Sequence, residues 1–161
     1  MKRLSSILLL PLLGVWAIPV SAGPRASERR TVLFLCAQGG VKSVMAAAYF
    51  NRLAQENSLP YVAVSAAAED PYPAVPEAVI DFLHAEGVSV RATEPRCVEE
   101  ADLETASNVI TIGCDLAAPH LGETEIERWD DVPRFSDDPE ATAAAIQRHV
   151  ATLFEVLSAR R

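Results

Sequence analysis

The fold is decided by "TVLFLCAQGGVKSVMAAAYF", Thr31 to Phe50. "TVLFLC" is a continuous apolar run, β-branched at its start, the pattern of a strand buried on both faces. Val44 to Gln55 is rich in helix formers. Met45, Ala48 and Tyr49 recur there at helical spacing, with Arg52, Gln55 and Glu56 in polar positions. Between the two elements the chain turns tightly from Cys36 into a helix that begins near Ser43. Gly39 and Gly40 permit the positive φ that such a turn needs. Successive backbone N–H groups in the turn point into one concavity and bind an oxyanion. The helix N-terminus adds partial positive charge on the same side. A thiol in that cradle is favoured as the thiolate, which is the nucleophile. Lys42 brings a cation, and Ser43 a hydroxyl donor for the sulfur. Cys36, Lys42 and Ser43 are therefore candidate catalytic residues. Ala37, Gln38, Gly39, Gly40, Val41 and Lys42 are the candidate oxyanion-binding set. The bland alternative for Cys36 is a small buried hydrophobe at a strand end. The turn is no Walker loop, because Val41 stands where that pattern needs its last glycine.

Outward from this stretch, strands and helices alternate. "YVAVSA" from Tyr61 reads as a second strand, and "DPYPAVP" as a proline-broken loop. "PEAVIDFLHAEG" reads as a helix with Pro76 in its first turn and Gly87 at its end. "VSV", Val88 to Val90, is expected to be a short strand, "CVEEADLETA" a short acidic helix and "NVITIG" another strand. Asp115 to Asp137 reads as loop, with a short helical or extended piece around Trp129. In the last helix, Ile146, Val150, Leu153 and Leu157 form the apolar stripe. Four strands alternating with four helices predict one α/β domain over residues 31–158. Its sheet is parallel, with four strands and helices on both faces. Active sites of such sheets lie beyond the carboxyl ends of the strands, and Cys36 ends the first strand.

Residues 1–22 carry the marks of an export signal. Lys2 and Arg3 form a basic start, "LSSILLLPLLGVWAIPV" is an apolar core, and "VSA" offers small residues for cleavage after Ala22. The apolar run is about 17 residues with a proline inside, marginal for spanning ~30 Å of hydrocarbon. A periplasmic or secreted protein without stable membrane insertion is expected, with residues 23–30 as a linker. Removal of Lys2 and Arg3 takes the net charge from −8 to −10, which repels nucleic acid and anionic lipid. Three cysteines, Cys36, Cys97 and Cys114, leave at least one thiol unpaired and every pairing open. His84, His120 and His149 show no metal-ligand spacing with one another or with the cysteines. His84 and His149 read as helix-surface residues and His120 as a loop residue. No metal or other cofactor is implied.

The Cys36–Ser43 segment resembles the phosphate-binding loop of low-molecular-weight protein tyrosine phosphatases. It equally resembles that of the related thioredoxin-coupled arsenate reductases. Both have Cys-x5-Arg-Ser/Thr between the first strand and first helix. Cys36 matches the nucleophile, Ser43 the hydroxyl that steadies the thiolate, and Gly39 a left-handed asparagine, while Lys42 stands where the family has arginine. "VSAA" from Val64, "PEAV...LHAEGVSV", "DLETASNVITIGC" and the final helix also fall in family order. The resemblance implies a flavodoxin-like three-layer fold and hydrolysis of a phosphomonoester, such as a phosphotyrosine protein, through a cysteinyl-phosphate. It also implies an aspartate that protonates the leaving oxygen. Asp138 in Asp138-Pro139 matches the family's Asp-Pro, and Asp131 in "WDDVP" is the second candidate. Asp138 before Pro139 is equally a good helix N-cap. Lysine is a point charge where arginine is a bidentate fork, so reduced turnover, a different oxyanion ester or oxyanion binding without turnover all stay open. In the arsenate reductases further redox cysteines follow the strand equivalent to "NVITI". Cys114 matches the first of them, and Ala118 stands where some members have the other.

Overall fold

The strand that ends in Cys36 has no solvent-facing side: Val32, Leu33, Phe34 and Leu35 are all 0 % exposed. The computed structural model describes residues 29–90, 94–116 and 125–160. The expected export signal over 1–22, most of the 23–30 linker, and Ala118, Pro119 and His120 lie outside the described residues. Along the chain come β1 (Arg30–Cys36), α1 (Lys42–Glu56), β2 (Tyr61–Ala67), α2 (Glu77–Ala85), α3 (Glu100–Thr105), β3 (Ala106–Ile112), β4 (Ile126–Trp129) and α4 (Pro139–Ser158). The strands form one sheet in the order β2-β1-β3-β4, and each neighbouring pair is parallel.

β1 is interior, so both of its alternating side-chain sets are buried. Val32, Phe34 and Cys36 join a core with Met45, Tyr49 and Phe50 of α1, Val79 and Leu83 of α2, and Ile146, Val150 and Leu153 of α4. Leu33 and Leu35 join Ala66, Val109 and Leu103 of α3 on the other face. The sheet is thus covered by α1, α2 and α4 on one side and α3 on the other. Each large apolar side chain withdrawn from water contributes about 1.5–3 kcal/mol.

The expected four parallel strands are present, but one of them is not the expected one. Val88–Val90 forms no strand. The Val88 N–H is bonded to the Leu83 carbonyl at 2.8 Å and the Gly87 N–H to that of His84 at 3.0 Å. With Gly87 at φ +69°, this is the hydrogen-bonded close of α2. The edge of β2 is met instead at Ala67, which exchanges backbone bonds with Arg96 and Val98. The fourth strand is β4, where the sequence left a short helical or extended piece around Trp129 within a span read as loop. Its two central residues, Glu127 and Arg128, are exposed. So short an edge strand with charged central residues carries almost no apolar alternation for a sequence reading to detect.

Trp129 and Phe34 pack across the sheet with ring centroids 5.4 Å apart, and Phe34 meets Phe50 of α1 at 6.2 Å. Phe34→Ala is expected to cost about 3–5 kcal/mol of unfolding free energy, as measured in urea. A loss under about 1 kcal/mol would show that this core does not pack as described.

Candidate active site

Beyond β1 the chain is pinned by its carbonyls. The Cys36 carbonyl accepts from the Ala68 N–H at 3.0 Å, that of Ala37 from Glu69 at 2.8 Å, and that of Gln38 from Tyr72 at 3.0 Å. Gly39 has φ +64°, and a Cβ there would lie 2.7 Å from the Ala67 nitrogen. Only glycine fits both demands, the left-handed turn and the backbone contact. At Gly40 a Cβ would lie 2.8 Å from the Tyr72 ring. α1 then begins with no side-chain cap and no acidic residue in its first turn. Its first N–H groups and positive dipole end are left for an anion.

The structure brings together most of the candidate residues. Cys36 Sγ lies 3.1 Å from Ser43 Oγ, and both residues are buried. Lys42 Nζ donates to the Val132 carbonyl at 3.1 Å. It also crowds Gly113, where a Cβ would come within 2.7 Å of the nitrogen. Gly113 has φ +61° and donates its N–H to the Trp129 carbonyl at 3.1 Å. Cys114 follows it, and its thiol is pushed up to about 11. Burial is the main cause; the Ile112 backbone pulls the other way, Cys36 and Glu69 add to the rise, and Lys42 opposes it. Cys36, Lys42 and Cys114 therefore share one neighbourhood at the carboxyl end of the sheet.

The two aspartates stand on the segment after β4. Asp138 caps α4, accepting the Ala141 N–H at 2.9 Å, with Pro139 in the first turn. Asp131 accepts from His149 Nε2 at 2.6 Å and pairs with Arg148 at 3.7 Å. The hydrogen bond from His149 holds its carboxyl below the usual range, with the charges of His149 and Arg148 acting the same way. Neither carboxylate is hydrogen-bonded to Cys36, Lys42 or Ser43 among the described contacts.

Cys97 is a free, exposed thiol whose Sγ lies 3.7 Å from the Glu69 carbonyl oxygen. Cys36 pairs with Ala67, and Ala67 with Cys97. Two strand spacings of about 4.8 Å each separate the two cysteines, beyond the ~7 Å that a disulfide spans. His84 is an exposed helix residue, as expected. His149, expected on the helix surface, is half-buried and stacked on Trp129, with centroids 4.7 Å apart and planes at 14°. Sequence reasoning missed Gly113, the Val132 carbonyl and the Trp129–His149–Asp131 contact. Each arises from chain crossings that no local pattern announces. Among the described residues, no group of three His, Cys, Asp or Glu is placed to hold a metal ion. No described helix is long and apolar enough to cross a membrane.

A family model described as low molecular weight phosphotyrosine protein phosphatase matches residues 31–155. No curated protein sequence matches the chain. Among solved structures the chain is similar to YfkJ from Bacillus subtilis, at 23 % identity over 83 % of this chain and 97 % of that one, with TM-score 0.69. It is similar to a thioredoxin-dependent arsenate reductase of Corynebacterium glutamicum at 20 % identity, over 85 % of this chain and 66 % of that one, with TM-score 0.72. It is also similar to a low molecular weight protein tyrosine phosphatase from T. tengcongensis at 19 % identity, over 78 % and 98 %, with TM-score 0.67. These likenesses carry the fold.

The raised Cys114 thiol has a measurable consequence. At pH 8 only about one Cys114 in a thousand is thiolate, whereas exposed Cys97 is open to reagent. Timed iodoacetamide labelling with peptide mass spectrometry is expected to show Cys97 modified before Cys114. Cys114 labelling is expected to rise about tenfold per pH unit toward pH 11. Equal rates for the two at pH 8 would contradict the buried setting of Cys114.

Proposed function

The chain belongs to the low-molecular-weight phosphotyrosine protein phosphatase family, and on that premise we propose that it hydrolyses aryl phosphomonoesters through a cysteinyl-phosphate. One observation carries this reading: Cys36 and Ser43 meet at 3.1 Å where an uncapped helix begins and the loop carbonyls are tied back. In the proposed reaction the Cys36 thiolate attacks phosphorus, forming an S–P bond as the bond to the leaving oxygen breaks. The N–H groups from Ala37 to Lys42 and the Lys42 ammonium hold the phosphoryl oxygens, and Ser43 steadies the sulfur. Catalysis of this kind is mostly positioning and electrostatic stabilisation. An aspartate protonates the leaving oxygen. It then takes a proton from the water that displaces Cys36 and releases inorganic phosphate.

Asp138 is the first choice for that acid. Its cap bond engages one oxygen with a backbone N–H, whereas Asp131 is held as a carboxylate by His149 and Arg148. Asp131 is the alternative because it adjoins Val132, whose carbonyl meets Lys42. Loss of the true acid costs most when the leaving group is poor. Asp138→Asn is expected to lower kcat by about 10²–10⁴ on phenyl phosphate and far less on p-nitrophenyl phosphate. The same pattern in Asp131→Asn instead transfers the role.

A second reading, an oxyanion reductase of the arsenate-reductase kind, draws support from Cys114 standing in the electrostatic neighbourhood of Cys36. It predicts arsenate-dependent consumption of thiol reductant, lost in Cys114→Ala. With residues 1–22 acting as an export signal, the site of either activity is the periplasm or the exterior, away from cytosolic thioredoxin.

Aryl-phosphate hydrolysis by the wild type, Cys36→Ser and Lys42→Arg tests the primary reading. Cys36→Ser is expected to abolish turnover. Lys42→Arg is expected to raise it about tenfold or more by restoring a bidentate fork. Phosphate binding without turnover in any of the three would instead favour a non-catalytic oxyanion-binding module.

A further inference from the structure

The four residues from Trp129 to Val132 are held from two sides. On the sheet side the Trp129 carbonyl accepts the Gly113 N–H at 3.1 Å. The Val132 carbonyl accepts from Lys42 Nζ, also at 3.1 Å. On the helix side a single residue of α4 grips both ends of the same turn. The His149 ring stacks on the Trp129 indole at 4.7 Å, and its Nε2 meets Asp131 Oδ1 at 2.6 Å. Trp129 cannot yield in the opposite direction, because Phe34 lies at 5.4 Å and the indole is 1 % exposed. Its Nε1 donates to Glu127 at 2.7 Å.

Lys42 has few other constraints. It is a flexible four-carbon stem with a point charge at its tip, and among the described residues its hydrogen-bond acceptor is the Val132 carbonyl. Gly113, having no Cβ, leaves space for the ammonium. The position of the Val132 carbonyl therefore decides where the charge sits. An arginine would fix itself by bidentate geometry, whereas a lysine has to be fixed by its surroundings.

We propose that His149 is a positioning residue: by stacking on Trp129 and hydrogen-bonding Asp131, it holds the turn whose Val132 carbonyl fixes the Lys42 ammonium beside the oxyanion loop. The proposal rests on the reading of Lys42 as the cation of that loop. The charged groups on this turn and on the facing helix are consistent with a local clamp. Asp131 faces His149 and Arg148, while Asp130 is turned to Arg128, which also pairs with Asp115.

The sequence supplies a clean probe: its only lysines are Lys42 and Lys2, and Lys2 leaves with the expected export signal. Amine acylation of the exported protein, from residue 23 onward, followed by peptide mass spectrometry, gives Lys42 reactivity with the N-terminal α-amine as an internal reference. His149→Phe keeps a ring on Trp129 but loses the hydrogen bond. Asp131→Asn keeps the stack and loses the carboxylate. Each is expected to raise the ratio of Lys42 to α-amine labelling about three- to tenfold, the range that one lost hydrogen bond covers. His149→Gln, which retains a donor, is expected to fall between His149→Phe and wild type. An unchanged ratio in both His149→Phe and Asp131→Asn overturns the proposal. Inorganic phosphate is expected to protect Lys42 in the wild type. Absence of protection defeats the oxyanion reading itself, whatever the variants do. Calorimetry with phosphate then separates positioning from general support of the fold. His149→Phe is expected to weaken phosphate binding in the wild-type background and to add nothing in Lys42→Met. Equal weakening in both backgrounds also overturns the proposal.

Discussion

Everything at the candidate site depends on where three carbonyls point. Those of Cys36, Ala37 and Gln38 are taken by N–H groups of Ala68, Glu69 and Tyr72 in the segment after β2. A peptide unit whose oxygen is fixed outward presents its N–H the other way. That is the arrangement on which the proposed oxyanion reading of the loop rests. Gly39 makes this possible, since any side chain at φ +64° would meet the backbone of Ala66 and Ala67. Cys36 and Ser43 acquire their contact because the loop between them is held in this shape.

Much of this was legible in the sequence because it is local. The strand, the loop and the helix lie within 27 residues, from Arg30 to Glu56, and each has a chemical signature of its own. The apolar run, the double glycine and the run of helix formers fix the order of elements. The parallel sheet follows from alternation. The Asp138-Pro139 start of α4 was equally readable, and the structure has that cap bond.

What escaped has a common physical origin. Val88 looked like strand because it is apolar and β-branched, yet its N–H closes the end of α2. Around Trp129 the sequence left helical and extended readings open, because only one of the four residues of β4 is fully buried. The acceptor of Lys42 could not be read either, since it is a carbonyl 90 residues further along the chain. His149 looked like surface until β4 supplied the indole beneath it. In each case a contact distant in sequence decided the outcome, and periodicity carries no information about such partners.

The Lys42 contact also bears on the order of folding. The loop and α1 are complete when about a third of the chain exists, yet the ammonium has no seat until β3 and β4 have been added beside β1. The His149 ring comes later still, from the last helix. Pairings of such long sequence separation form slowly. On a chain that emerges from its amino end, the thiol and its cation are made early and assembled last. The nascent polypeptide therefore spends most of its synthesis without the contact between Lys42 and the Val132 carbonyl.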